Sequence, residues 1–170
     1  WMDWTNPHLW LVCAITIGYG LIGFTDDYLK VSKKNTKGLT GKKKLVGQFS
    51  LATFICVTHF LIYRNGEVHF PFFKSWVIDL GWAYIPFAVF VIVGASNAVN
   101  LTDGLDGLAV GLVAISALSF FAFSYLLAVE NGYSRAGAPS LMTALIFGTC
   151  LGFLPHNFFP ARIFMGDSGA

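Results

Sequence analysis

Long apolar stretches alternate with short polar segments along the whole chain. Five stretches are nearly free of charge and approach the roughly 20 residues that a helix needs to cross a hydrocarbon core. Aromatic side chains such as Tyr63, Trp82 and Tyr125 lie near their ends, as membrane interfaces favour. The pattern predicts an all-α polytopic membrane protein in which residues 1–170 form one transmembrane domain. The predicted spans are residues 8–25, 45–63, 82–99, 108–129 and 140–159.

The composition agrees with this class and excludes others. Only 12% of the 170 residues are charged and 55% are hydrophobic, whereas soluble domains carry about 25% charged residues. The shortage of charge excludes a disordered tail and a coiled coil. A net charge of +2 is too small for a broad basic surface, so we expect no nucleic-acid partner. Because the chain starts at Trp1 and ends without a polar tail, we expect it to be an internal piece of a longer protein.

The basic residues predict the orientation in the membrane. Seven of the eleven lie in the loop 26–44, which the positive-inside rule assigns to the cytoplasm. Alternation then places the loops 100–107 and 160–170 on the cytoplasmic side as well. The seven are Lys30, Lys33, Lys34, Lys37, Lys42, Lys43 and Lys44.

Five of the nine acidic residues fall on this predicted cytoplasmic side: Asp26, Asp27, Asp103, Asp106 and Asp167. Carboxylates held close to one another at helix ends repel unless a cation joins them, and such groups usually serve function. Carboxylate oxygens are the ligands that suit Mg²⁺. The pattern therefore favours metal-assisted phosphoryl transfer, with a carboxylate positioning or deprotonating the attacking group.

Two polar segments carry further candidates. Asn100, Asp103 and Asp106 are spaced three apart and would share a face if they were helical, although an Asn/Asp/Gly turn between helices is the structural alternative. Gly166 and Gly169 flank Asp167 in a pattern typical of a tight turn that places a carboxylate.

Three strings give a resemblance to a known family. They are GFTDDYLK at 23–30, followed by NTKGLT at 35–40; SNAVNLTDGLDGLA at 96–109; and PARIFMGD at 160–167. Together they resemble the phospho-N-acetylmuramoyl-pentapeptide transferase family. The third string is also similar to the wider polyprenyl-phosphate N-acetylhexosamine-1-phosphate transferase superfamily.

The resemblance implies a ten-span bacterial enzyme, often a homodimer, of which this chain holds about half. It implies Mg²⁺-dependent transfer of phospho-MurNAc-pentapeptide from UDP-MurNAc-pentapeptide to undecaprenyl phosphate, giving lipid I and UMP in peptidoglycan synthesis. The enzyme would lie in the bacterial cytoplasmic membrane, with its active site on the cytoplasmic face.

The resemblance also implies residue roles. Asp167 would hold Mg²⁺, and Asp26 and Asp27 would serve the lipid phosphate and the chemical step. Asn100, Asp103 and Asp106 would line the nucleotide-sugar site. Asn157 would support the metal site, and Asn157 and Gly166 would contribute to substrate binding. Lys30 and Lys42 would help to hold phosphates, and Phe164 would pack near the uracil.

Other functions stay open at this point. The segment 156–170 also resembles sibling enzymes that transfer GlcNAc-1-phosphate from UDP-GlcNAc, and Ala170 replaces a Ser that is common in the family. A transporter or channel would use carboxylates along a cation path, but the predicted spans carry no acid near the bilayer middle. A membrane scaffold with solvated acidic loops is the third alternative.

Overall fold

The computed structural model describes residues 5–32, 38–69, 76–129 and 137–169. Lys33, Lys34 and Lys37 of the predicted cytoplasmic loop lie outside these ranges, as do Ala170, residues 70–75 and residues 130–136 of the predicted outer loops. The elements in order are α1 (Pro7–Ser32), α2 (Gly41–Tyr63), β1 (Glu67–His69), β2 (Val77–Asp79), a 3₁₀ turn (Gly81–Ala83), α3 (Tyr84–Thr102), α4 (Leu108–Val129), α5 (Gly137–Asn157) and the one-turn α6 (Gly166–Gly169).

Five of the helices in the described ranges, α1 to α5, are long and apolar enough to cross a membrane. This finding confirms the all-α polytopic class. Large apolar side chains remain exposed along them, including Phe54, Phe90 and Phe120. Such a surface is unfavourable in water but suits contact with lipid, because the backbone polar groups are satisfied within each helix.

The helix boundaries differ from the predicted spans mainly in the first polar loop. The span predicted at 8–25 stops at the first charge, but α1 continues to Ser32, and α2 starts at Gly41. Asp26, Asp27 and Lys30 therefore lie on a helix, while Lys44 lies in the first turns of the next one. The apolar pattern marks the part of a helix that lipid surrounds, and a helix can continue beyond it with polar side chains.

Contacts divide the described chain into two compact units. The first unit comprises Thr5–Ala98 together with Asp167–Gly169, and the second comprises Val99–Gly166. In the first unit, α2 packs on α3 through Ala52, Cys56, Val89 and Val93.

Helices α1 and α2 of the first unit run antiparallel. At one end, the His8 ring stacks on Tyr63 with a centroid distance of 3.9 Å. At the other end, Lys30 and Lys44 both contact Asp167. Helix α1 starts with Pro7 at its first position, and the Asn6 side chain accepts the His8 N–H at 3.0 Å, as a capping residue does.

The second unit is built on the packing of α4 against α5. The buried face of α4 consists mainly of small residues, namely Ala109, Ala114, Ala117 and Ser124. Small side chains let two helices approach closely where lipid offers no hydrophobic driving force between them. The start of α4 and the end of α5 adjoin two polar segments, 103–107 and 158–166, which carry further candidate residues.

Candidate active site

The last turns of α1 present one functional face. Gly23, Asp26, Asp27 and Lys30 follow the spacing of three and four that aligns side chains on a helix. Gly23 and Asp26 are buried, and the Asp26 side chain is only 5% exposed against 31% for Asp27. A buried carboxylate requires partners, since an isolated charge out of water is strongly unfavourable.

These partners come from Asp167 and two lysines, forming a group that we call the carboxylate–lysine cluster (Asp26, Asp27, Asp167, Lys30 and Lys44). The Lys30 Nζ lies 2.5 Å from Asp26 Oδ2, 3.4 Å from Asp27 Oδ1 and 2.7 Å from Asp167 Oδ2. The Lys44 Nζ lies 3.0 Å from Asp167 Oδ1. Three negative charges thus share two ammonium groups, which leaves a formal charge of −1 within the cluster.

Fixed donors occupy the other carboxylate oxygens of the α1 pair. Asp26 Oδ1 accepts the Leu39 N–H at 2.5 Å. Asp27 Oδ2 accepts both the N–H and the hydroxyl of Ser168, at 2.9 and 2.6 Å. Gly38 has a φ of +39°, a left-handed conformation that glycine adopts readily, and this turn directs the following N–H towards Asp26.

Gly23 allows the backbone around Asp167 to approach α1. A Cβ at this position would overlap the carbonyl group of Asp167 and the Cα of Ser168. The overlap would be with backbone atoms, which cannot turn aside as a flexible side chain can. A glycine is therefore required for the observed packing of residues 167–169 on α1.

The three carboxylates fit a hard divalent cation by their chemistry and spacing. One ligand oxygen from each of Asp26, Asp27 and Asp167 can be chosen so that all lie within 4.8 Å of one another. Mg²⁺ prefers oxygen ligands and usually binds through a small number of carboxylates together with water and phosphate. The predicted metal residue, Asp167, thus lies beside the two predicted catalytic carboxylates.

A second polar group lies in the second unit, and we call it the asparagine–aspartate network (Asp103, Asp106 and Asn157). Asn157 is fully buried; its Oδ1 accepts the Gly107 N–H at 3.1 Å and its Nδ2 donates to the Ile163 carbonyl at 2.9 Å. The two carboxylates accept backbone N–H groups. Asp106 Oδ2 accepts the Ala161 N–H and Asp103 Oδ2 accepts the Gly166 N–H, both at 2.9 Å.

The network fixes the backbone of the segment 157–166 through its side chains. Asp103 and Asp106 lie in the turn after α3 rather than on a helical face, because α3 ends at Thr102. Asn100 is half-buried, and its carbonyl accepts the Asp103 N–H at 3.3 Å. Asp103 Oδ1 is buried and has no hydrogen-bond partner among the described residues. An acceptor of this kind is prepared for a donor from a ligand or from water.

Two predicted substrate residues lie apart from the contacts just described. Lys42 is exposed at the start of α2, whereas Lys44 makes the ion pair with Asp167. The Phe164 side chain is 52% exposed. Gly166, the residue before Asp167, has a φ of +65°, and its N–H group donates to Asp103 Oδ2.

Sequence reasoning did not single out Lys44, Ser168, Gly23 or Leu39. The helical phase of α2 explains the role of Lys44 once the structure is known: Lys44, Gln48 and Ala52 are four residues apart, and the structure buries the latter two. Extending that buried face towards the start of the helix selects Lys44 over Lys42. The roles of Ser168 and Leu39 depend on backbone geometry that composition does not encode.

The fold and cluster define a multi-pass membrane protein with a polar site built on acidic and basic side chains. The family model described as "Glycosyl transferase family 4" matches residues 9–170, and the chain belongs to that family.

Relatives named "Phospho-N-acetylmuramoyl-pentapeptide-transferase" match the full chain. They include proteins from Pelobacter propionicus (48% identical), Thermodesulfovibrio yellowstonii (44%) and Citrifermentans bemidjiense (46%). The chain covers 100% of its own length in each match but only 50% of each relative. It therefore spans about half the length of the curated relatives that it matches.

Proposed function

We propose that the full-length protein transfers phospho-MurNAc-pentapeptide from UDP-MurNAc-pentapeptide to undecaprenyl phosphate, giving lipid I and UMP. The observation that carries the proposal is the carboxylate–lysine cluster, which joins three carboxylates and two ammonium groups from distant parts of the sequence. The names of the relatives and the family membership support the same reaction. The reaction joins a lipid acceptor to a soluble anionic donor, so a polar site at a membrane interface suits it.

The cluster has the groups that a phosphoryl transfer requires. An oxygen of the undecaprenyl phosphate attacks the donor phosphorus that carries the sugar through its C1 oxygen. The bond from that phosphorus to the bridging oxygen breaks, and this oxygen leaves with UMP. Negative charge spreads over the phosphate oxygens during this exchange, so positively charged partners lower the free energy of the transition state. Mg²⁺, held by Asp167 with Asp26 and Asp27 close by, would supply charge neutralisation on the donor phosphates.

Exposure separates the roles of the α1 carboxylates. The Asp27 side chain is the more accessible of the pair, and we assign it to the acceptor phosphate, an anion that it would meet through the bound cation. Asp26 is buried, accepts a hydrogen bond from the Leu39 N–H and forms an ion pair with Lys30, which suits a residue that positions the other groups of the site. Lys30, with a side chain 37% exposed, and Lys44 would bring positive charge to the donor phosphates.

The asparagine–aspartate network is assigned to the nucleotide-sugar donor. Asp103 Oδ1 offers a buried acceptor, and a ribose hydroxyl or a uracil N–H is a donor of matching chemistry. Asn100, Asp106, Phe164 and Gly166 belong to the same assignment, and Asn157 supports it by fixing the neighbouring turn. Lys42 at the start of α2 is assigned to attract the anionic donor.

The site would face the cytoplasm of a bacterial cytoplasmic membrane. Lys42 and Lys44 lie at the same end of α2, and basic residues favour the cytoplasmic side of a membrane. The homodimer implied by the family resemblance is part of the proposal, and cross-linking of the full-length protein in membranes would test it.

The test is UMP release by the full-length protein in detergent with Mg²⁺ and undecaprenyl phosphate. UDP-MurNAc-pentapeptide and UDP-GlcNAc are supplied in parallel reactions. We expect release with the muramoyl donor alone. Release with UDP-GlcNAc alone would transfer the protein to the sibling branch and keep the chemistry, whereas no release from folded protein with either donor would overturn the proposal.

A further inference from the structure

Lys30 occupies the inner side of the three carboxylates. Its Nζ contacts Asp26 Oδ2, Asp27 Oδ1 and Asp167 Oδ2, one oxygen from each member of the group suited to a metal. These contacts mean that a cation already lies among the three acids, and that this cation is part of the protein chain.

The donors around the cluster separate inner from outer oxygens. The outer oxygens face other donors, namely the Leu39 N–H on Asp26, Ser168 on Asp27 and the half-buried Lys44 on Asp167. The inner oxygens converge on the ammonium group of Lys30. They are the oxygens that a shared divalent cation would use if the outer hydrogen bonds were kept.

An ammonium group and Mg²⁺ cannot occupy this position together. Mg²⁺ binds its oxygen ligands at about 2.0–2.1 Å, and two positive charges at contact distance repel strongly. Lys30 can leave, because its flexible four-carbon stem is partly exposed to solvent. Asp26 and Asp27 are held by backbone and Ser168 donors, so they can stay in place when the lysine moves.

We propose that Lys30 is an internal cation that holds the carboxylates together in the metal-free protein and is displaced when Mg²⁺ binds. Its ammonium group is then free to meet a substrate phosphate. The inference rests on the proposed function for the presence of the metal. It adds an order of events: Lys30 first competes with the metal for the carboxylates and then contacts the substrate phosphate. It makes Lys30 a group that weakens metal binding in the absence of substrate.

The test measures metal affinity in the full-length protein, in detergent and without substrates. Mn²⁺ is the probe, and free Mn²⁺ is followed by electron paramagnetic resonance. We expect Lys30→Met to bind Mn²⁺ about tenfold more tightly than the parent, within the range typical of coupled sites. Lys44→Met removes the same charge from an outer position and should give a clearly smaller gain.

The sign of the change decides the outcome. If Lys30→Met binds Mn²⁺ no more tightly than the parent, Lys30 does not compete with the metal and the inference is wrong. An equal gain in Lys44→Met would also overturn it, because the effect would then come from net charge and not from position.

A second measurement covers the case in which Lys30→Met loses stability. Without metal, its three acids lack their central cation, so its Tm should fall below that of the parent. Added Mg²⁺ should then raise the Tm by more in this variant than in the parent, since tighter binding to the folded state gives more stabilisation. An equal or smaller rise would contradict the inference.

The metal assignment has its own control. Asp167→Asn should weaken Mn²⁺ binding in the parent background. If Asp167→Asn does not weaken binding, or if the parent binds no Mn²⁺, the metal assignment in the proposed function fails. If the parent binds Mn²⁺ but Lys30→Met gains no affinity, only the inference about Lys30 fails.

Discussion

The carboxylate–lysine cluster and the asparagine–aspartate network use the same residue type in two different ways. In the cluster, Asp167 is paired with the charged ends of Lys30 and Lys44. In the network, Asp103 and Asp106 accept backbone N–H groups of the segment that follows α5. The partner therefore distinguishes the roles: a lysine end can move aside for another cation or for a phosphate, whereas a backbone N–H stays with its chain.

The energies of the two regions differ for the same reason. The ion pairs of the cluster are shared, so Asp26, Asp27, Asp167 and Lys30 each keep another partner when one pair is lost. A buried N–H group that loses its acceptor costs about 1–3 kcal/mol. We therefore expect substitutions in the cluster to change activity more than stability, and substitutions in the network to change stability first.

The largest effect should come from removing one charge from the cluster by Asp167→Asn. The side chain keeps its size, but the ion pairs with both lysines are lost and the metal ligand is weakened. Turnover should fall on the order of 10³-fold, the upper range for losing one preorganised charge-stabilising group. The measurement is UMP release by the full-length protein.

Circular dichroism and thermal unfolding serve as the folding control for Asp167→Asn. We expect an unfolding transition close to that of the parent. Near-normal turnover would show that the reaction does not depend on this carboxylate, and the distinction between exchangeable and fixed aspartates would lose its main support.

A smaller effect is expected from closing the space between α1 and Asp167. Gly23→Ala adds a methyl group that overlaps backbone atoms of Asp167 and Ser168. Overpacking of this kind costs about 1–3 kcal/mol, and the cluster should separate before the helix unfolds. The free energy of unfolding and the rate of UMP release should both fall.

Gly20→Ala is the matched control for this variant. It lies three residues earlier on the same helix, and a Cβ there meets nothing within 4 Å. Alanine should be neutral or stabilise the helix by up to about 1 kcal/mol. Equal behaviour of the two variants would mean that the close approach at Gly23 is not needed.

The smallest effects should appear in a pair of variants at Asp106. Asp106→Asn keeps an oxygen that can accept the Ala161 N–H, so the free energy of unfolding should fall by less than about 1 kcal/mol. Asp106→Ala leaves that N–H without its side-chain acceptor and should cost about 1 kcal/mol, the low end for a lost acceptor, because Ala161 is only partly buried. Thermal or denaturant unfolding of the full-length protein in detergent would measure both.

The order within this pair sharpens the comparison. If Asp106→Asn is as destabilising as Asp106→Ala, the network depends on negative charge and resembles the cluster after all. If Asp106→Asn unfolds normally but loses turnover, the side chain contacts the donor as well as the backbone.

The sequence predicted the five long helices because apolar length is a direct consequence of the surrounding lipid. It placed the polar end of α1 in a loop, because charge marks the edge of lipid and not the end of a helix. The three cluster residues that lie on α1, namely Asp26, Asp27 and Lys30, were still identified, since an acidic pair near a membrane edge is conspicuous.

Residues whose importance depends on long-range geometry were harder to find. The choice between Lys42 and Lys44 depends on the helical phase of α2, which becomes clear only when Gln48 and Ala52 are known to be buried. The contact of Ser168 with Asp27 joins residues 141 positions apart, and no local pattern predicts such a pairing. The backbone bonds of Asp103 and Asp106 were missed because acidic residues in a turn suggest solvent or ligand contacts before backbone contacts.

The distance in sequence between Lys30 and Asp167 has a consequence for biosynthesis. The two residues lie 137 positions apart, so at about 5–20 residues per second the ribosome requires roughly 7–27 seconds to reach the second after the first. During that interval Lys30 already has local partners, since Asp26 and Asp27 precede it by four and three residues on the same helix. The nascent helix end can thus enter the membrane interface with its acids partly neutralised, and the cluster is completed when α6 arrives.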